Sequence, residues 1–153
     1  MTFTIHPAQA ADRDFILGMA PRLAGVARMD WRDDAEIDRF QNEFMLTCLA
    51  VPGSQGFVAH GSDGERLGFV HVEPAVDPVN HRHCGYISLL AVTERAEGSG
   101  VAKALMAAAE DWSSARGHAL LCLDVFASNG RGRAFYARQG FGEETLRLVK
   151  ALG

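Results

Sequence analysis

Two glycines one residue apart, Gly98 and Gly100 in the stretch AVTERAEGSGVAKALM (Ala91–Met106), stand directly before a helical pattern. Such a pair exposes backbone N–H groups at a helix N-terminus, and an anion is the ligand that suits them. Other residues with chemistry to offer lie on both sides: Glu73 closing an apolar run, Asn129 closing LDVFASN, Tyr136 within FYARQGF, and the group His81, His83 and Cys84. An HxHC loop could supply three metal ligands. No fourth lies near it in sequence, so the loop reads as a polar, substrate-side segment and no metal is expected. Cys48 and Cys122 sit in apolar runs as core thiols, and three widely spaced cysteines form neither a disulfide framework nor a CxxC site.

Composition narrows the ligand. The 153 residues, 48% of them hydrophobic, suit one domain spanning 1–153 with a substantial core. A net charge of −4 argues against a general nucleic-acid binder, which needs a basic surface. No charged-then-apolar leader opens the sequence and no apolar run nears the ~20 residues that cross a bilayer, so a cytoplasmic protein without membrane contact is expected.

The elements that must position these residues follow from periodicity. Phe3 to His6 reads as a strand stopped by Pro7, and Ala10 to Leu23 as a helix through Phe15, Met19 and Leu23. A second helix follows Asp33 and Asp34, with Ile37, Phe40, Phe44 and Leu49 as its apolar stripe and Pro52 beyond its end. Phe57 to His60 and Leu67 to Glu73 flank GSDGE as an antiparallel hairpin. Tyr86 to Val92 is the most apolar strand pattern and is expected at the centre of the sheet. Gly98 to Arg116 is helical, with Val101, Leu105, Ala108 and Trp112 inward and Gly117 as its stop. Leu120 to Phe126 reads as a strand, Gly130 to Arg138 as a short helix, and Thr145 to Leu152 as an alternating edge strand free to pair with a second copy. This order predicts an α/β (α+β) fold with a mixed, mostly antiparallel sheet flanked by helices and one late strand–helix–strand crossover.

Two ligands compete for the glycine turn. A Rossmann-type dinucleotide or adenosyl-methionine site would use Asp124, at the end of the next strand, for a ribose. Lys103 holds the third glycine position of that motif, only about fifty residues follow it, and a hairpin precedes it where parallel units belong. The second ligand is an acyl-coenzyme A diphosphate.

Here YISLLAV, EGSGVAKALM, LDVFASN and FYARQGF, in that order, resemble the GNAT superfamily of N-acetyltransferases. The resemblance covers Tyr86 to Phe141, and the rest only as element order. It implies a GNAT-like fold, acetyl-CoA as cosubstrate and a primary amine of a small molecule or peptide as acceptor. Strand and helix positions set the register of the family's Gln/Arg-x-x-Gly-x-Gly/Ala signature at Glu97, Gly100 and Ala102, so an acid replaces its first residue. Glu97 is expected to point outward, with Arg95 supplying positive charge. The pantetheine arm would pair with Leu90, Ala91 and Val92 by strand addition. The diphosphate would sit on the N–H groups of Gly98, Ser99, Gly100, Val101 and Ala102. Asn129 would bond the pantetheine arm, and Tyr136 would face the sulfur as proton donor.

Family members often carry an acid on the strand matching Tyr86 to Leu89; here those residues are Tyr, Ile, Ser and Leu. Glu73 is therefore the first candidate base, with His71 and His81 behind it. Trp31, Phe40, Phe44 and the loop from Pro74 to His83 would wall the acceptor side. An alternative of another class is a non-catalytic acyl-CoA-binding regulatory module that kept the cofactor cleft.

Overall fold

The computed structural model describes residues 1–153. Its elements run β1 (Phe3–Pro7), α1 (Arg13–Gly18), α2 (Ala20–Gly25), α3 (Asp34–Leu49), β2 (Gln55–Gly61), β3 (Arg66–Val76), β4 (His83–Val92), α4 (Val101–Ala115), β5 (Leu121–Leu123) and α5 (Gly130–Arg138). The sheet order is β1-β2-β3-β4-β5, antiparallel except for the parallel β4–β5 pair. This is the expected mixed, mostly antiparallel sheet.

Alternating side chains build two cores, one on each face of the sheet. On one face α4 buries Val101, Leu105, Met106, Ala109 and Trp112 against Val70, Val72 and Ile87. On the other, Ile16, Met19, Ala20, Met45 and Cys48 of the early helices cover Val58, Phe69, Leu89 and Ala91. β5 obeys the same rule: Leu121 and Leu123 pack on the α4 side, which turns Cys122 between them to the other.

Several sequence expectations are corrected, and the first is that β3, not the Tyr86–Val92 strand, is the middle of the five. The helix over Ala10–Leu23 is broken at Met19, because Pro21 lacks an N–H and its ring would meet the carbonyl four residues back. The inward stripe of α3 is Ile37, Gln41, Met45 and Cys48; Phe40 is exposed and stacks on Phe44 at 5.5 Å between ring centroids. In α4 the inward alanine is Ala109, not Ala108. The strand expected over Leu120–Phe126 is only three residues long, since the chain leaves the sheet after Leu123. Phe126 then packs against Ala24, Ala27 and Ile37, and Ser128 Oγ donates to the Val26 carbonyl at 2.8 Å.

Thr145–Leu152 makes no strand at all, and Leu146, Leu148 and Leu152 are exposed. An alternating pattern needs an edge to pair with, and a three-residue β5 offers almost no ladder.

β4 contains the irregularity that matters most for function. Val70 pairs with Leu90, His71 with Leu89 and Val72 with Ile87, so Ser88 is an extra residue, a β-bulge. The bulge swaps the alternation of β4: Ile87 faces α4, and Leu89 faces the early helices. Close packing of α4 and β5 on the other end of β4 rests on Gly85. A Cβ there would lie 2.3 Å from Ser113 Oγ and 2.9 Å from Leu121 Cδ1. Gly85→Ala should therefore destabilise the fold by about 1–3 kcal/mol through overpacking, measured as a lowered urea midpoint with an unchanged slope.

Candidate active site

The bulge decides where the backbone of β4 points. Thr93 N–H donates to the Leu67 carbonyl at 2.9 Å, which fixes the phase of the β3–β4 ladder. Counting back in an antiparallel pair, Ala91 exchanges hydrogen bonds with Phe69, while Val92 and Leu90 turn their N–H and C=O groups away from β3. On that far side β5 pairs only with Gly85, Tyr86 and Ile87. Leu90 and Val92 therefore face an open edge. Of the three residues expected to pair with a pantetheine arm, Leu90 and Val92 have free backbone groups, and those of Ala91 are directed at β3.

The glycine turn lies at the end of this edge. Gly98 and Gly100 have φ of +71° and +89°, and a Cβ built on either meets no atom within 4 Å. Both observations describe a backbone surface open to a ligand. The amides of Gly98, Gly100, Val101, Ala102 and Lys103 donate to no backbone carbonyl, the orphan donors of an uncapped helix start. Ser99 differs from expectation. Its N–H donates to the Ala96 carbonyl at 3.2 Å and its hydroxyl bonds the same oxygen, so its amide is already engaged within the turn. The residues present fit a diphosphate: free donors, a helix dipole and no side chain in the way.

Glu97 does not point freely outward, and Arg95 does not serve the turn. Arg95 pairs with Glu65 and Asp63 on the β2–β3 hairpin. Glu97 instead receives Arg131 NH1 at 2.7 Å on one oxygen and Arg22 NH2 on the other. Those two guanidiniums hold its carboxyl below the usual range.

Tyr136 lies in α5 and packs edge-on against Phe135 and Phe141 on the α4 side of the sheet. Burial alone pushes its phenol up to about 12. Asn129 is the N-cap of α5: its Oδ1 accepts from Gly132 N–H at 2.9 Å. That role needs no ligand, and it leaves Nδ2 free of any bond within the chain.

The face expected to receive the acceptor is acidic. Glu73 pairs with Tyr86 across β3–β4, and its Oε2 is buried with no hydrogen-bond partner. Burial raises its carboxyl above the ordinary value, partly offset by the nearby Ser88 hydroxyl. Tyr86 donates to Asp124 Oδ2 at 2.7 Å, so the phenol at the centre of the splay links the two strands that part there. Burial and then Asp124 raise the Tyr86 phenol strongly. His71 is buried, and its Nε2 lies 2.9 Å from the Cys48 carbonyl at the end of α3; burial lowers its imidazole. It ties α3 to the sheet and is not an accessible base. His81, at φ +60°, and His83 are exposed, whereas Cys84 is buried, and no group of three or more His, Cys, Asp or Glu is arranged to hold a metal ion.

Sequence reasoning missed Arg22, Arg131, Tyr86 and the acceptor-side place of Asp124. Only Arg131 carried a local signal: a cation in the first turn of a helix opposes the dipole and needs a partner.

Residues 20–141 match the model of the acetyltransferase (GNAT) family. The chain is 34% identical over 110 residues to an aminoglycoside N(6′)-acetyltransferase type 1 of Stenotrophomonas maltophilia, covering 70% of this chain and 71% of that one. Among solved structures, a protein described as an acetyl transferase from Pyrococcus furiosus superposes with a TM-score of 0.83 at 23% identity, over 99% of this chain and all of that one. AAC(6′)-Iy, solved with a coenzyme A bisubstrate analogue, superposes at 0.69 with 22% identity, over 100% and 99% of the two chains. The chain thus belongs to the acetyltransferase (GNAT) family, transferring an acetyl group to an amine.

Proposed function

We propose that this enzyme takes its acetyl group from acetyl-CoA and delivers it to a primary amine of a small, polycationic molecule of the amino-sugar class. The carrying observation is the open β4 edge at Leu90 and Val92 running into five unbonded amides at the start of α4. An extended amide-containing arm ending in a diphosphate satisfies both at once.

The thioester of acetyl-CoA supplies an activated acetyl group; this chain supplies position and charge. Leu90 N–H, aimed at the open edge, would donate to the carbonyl oxygen as negative charge develops on it. Tyr136 would stand at the sulfur. A phenol near 12 holds its proton more tightly than a thiol of ordinary pKa ~8.5, so Tyr136 acts as a neutral hydrogen-bond donor to the departing thiolate and keeps its proton. Glu73 lies on the opposite face from Tyr136, where it would take the proton from the entering amine. Asp124 and the carbonyl end of α3 add negative potential on that side, which suits a substrate with several ammonium groups. The curated relative named above as an aminoglycoside acetyltransferase supports that acceptor class. A non-catalytic binder would have no use for a free phenol at the sulfur. Three free thiols, and the absence of any helix long and apolar enough to cross a membrane, fit a reducing cytoplasm as the site of reaction.

A panel of amines, including aminoglycosides, polyamines, amino acids and N-terminal peptides, assayed for thiol release from acetyl-CoA, tests the proposal. Turnover on amino sugars at least tenfold above every other class supports it; tight coenzyme A binding without turnover on any amine defeats it.

Gly100→Ala should place a methyl group in the amide cradle and strain a positive φ. Calorimetry on the folded variant should show coenzyme A affinity falling more than tenfold, whereas stability falls only by about 1–2 kcal/mol. Tyr136→Phe should lower kcat about ten- to a thousand-fold at every pH, with the coenzyme A Kd nearly unchanged.

Glu73→Gln makes the opposite kind of variant. Glu73 must be ionised to act, and its raised carboxyl places the acid limb of kcat/KM above the ordinary glutamate range near 4.3. Glutamine should erase that limb, with activity partly recovered at high pH, where more amine is free. The folded state binds this proton more tightly than the unfolded one, so the stability linked to it is present below the unfolded value and is lost as pH rises through the folded value. Glu73→Gln should therefore melt higher than the parent at pH 7 and show no such gain below about pH 4, which parallel thermal scans would read.

A further inference from the structure

Two helix starts meet at the glycine turn. α4 begins at Val101 and α5 at Gly130, and neither carries an acidic residue in its first turn. Both starts are poles of positive partial charge. Two guanidiniums are added to them: Arg131, the second residue of α5, and Arg22 of α2. The carboxylate of Glu97 holds both guanidiniums beside the turn, with one oxygen on each arginine. Glu97 immediately precedes the turn and replaces the Gln or Arg of the family's signature. An anion of the protein's own thus sits beside the place where a cofactor's anions would come.

The two arginines are not held alike. The Arg22 side chain is 37% exposed, whereas that of Arg131 is 75% exposed, and its one hydrogen bond within the chain is the one to Glu97. An exposed, single-contact ion pair is readily exchanged. A phosphate offers the guanidinium the same planar, paired acceptors as a carboxylate with more charge, about −1.5 to −2 for a terminal phosphate monoester.

We infer that Arg131 is the phosphate-reading residue of this enzyme, and that Glu97 is a built-in stand-in for phosphate which occupies Arg131 until the cofactor displaces it. The inference rests on acetyl-CoA being the donor. The exchange explains how a chain with an acid at the first position of the turn still binds an anionic cofactor: binding transfers Arg131 from the carboxylate to the phosphate, and Arg22 keeps Glu97 neutralised and anchored to α2. Arg131 would bind either the diphosphate or the terminal phosphate of coenzyme A, which share this chemistry.

Calorimetric titration of coenzyme A and dephospho-coenzyme A at low and moderate salt tests it, with parent, Arg131→Gln, Arg131→Lys, Glu97→Gln and the double variant Glu97→Gln/Arg131→Gln. Arg131→Gln should weaken coenzyme A binding about five- to thirtyfold and flatten its salt dependence, with Arg131→Lys in between. Equal losses for both ligands assign the diphosphate; a loss for coenzyme A alone assigns the terminal phosphate. Glu97→Gln should tighten binding about three- to tenfold by removing the competitor, and that gain should vanish in the double variant, because there is no longer an Arg131 to release. Acetyl-CoA KM should follow these changes while kcat stays near the parent value. If Glu97→Gln weakens binding, or tightens it equally with and without Arg131, the stand-in is wrong, as it is if Arg131→Gln binds within twofold of the parent. A parent protein that binds no coenzyme A at all defeats the donor assignment and this inference with it; the other negative results leave the donor assignment intact.

Discussion

One inserted residue governs the site. Without a bulge at Ser88, β4 would keep its alternation past Ile87, and Leu90 would turn its N–H toward β3. With the bulge, the amide of Leu90 faces outward where β5 has already left, and an edge normally hidden inside a sheet is open to a ligand. Open strand edges are otherwise a hazard that proteins cover. Here the loop from Asp124 to Asn129 crosses to α2 and α3, fixed by Phe126 and Ser128, and α5 follows it. The opening is thus a splay whose far wall is anchored to α2 and α3.

The same splay sorts charge. On the turn side are the N-termini of α4 and α5 with Arg22 and Arg131; on the other are Glu73, Asp124 and the C-terminal carbonyls of α3. For the substrates proposed above, this arrangement would favour phosphates at one end and ammonium groups at the other, separating the two by electrostatics before any specific contact forms. Tyr86 keeps the ends apart. Its hydroxyl bonds Asp124 across the point where the strands diverge, which fixes the acidic wall to β4, the strand with the open edge.

Much of this was legible in the sequence, and the part that was not has a common cause. Periodicity alone marked β4, α4 and α5, and Gly117 and Gly140, both at positive φ, ended the helices as their freedom allows. The glycine turn was legible because few residues besides glycine accept its φ, and the family pattern pointed to Tyr136. Ser88 was visible only as a missing acid. A bulge is a relation between two strands, and its residue type says little about it. The partners of Glu97 were hidden for the same reason: Arg22 and Arg131 lie 75 and 34 residues away, and only the folded chain brings them together. Arg95, adjacent in sequence, was the wrong choice because the hairpin acids Glu65 and Asp63 lie nearer to it in space. The Thr145–Leu152 pattern misled in the opposite direction, since it alternates correctly but meets no edge.

Glu73 shows what the site demands of the fold. A carboxyl oxygen buried without a partner is normally avoided, because desolvation favours the neutral acid. A hydrogen-bond donor beside it would relieve that penalty and lower its affinity for protons. Ser88, the bulge residue beside it, directs its hydroxyl to the His71 carbonyl at 3.4 Å, and Glu73 Oε2 is left without a partner. The carboxylate stays under-solvated, with a proton affinity above that of an ordinary glutamate, and a base of that kind is better matched to an amine that must lose a proton near neutral pH. On the proposed mechanism the bulge therefore acts twice: it turns the Leu90 amide to the open edge, where it would meet the acyl group, and it places Ser88 beside Glu73, the proposed base.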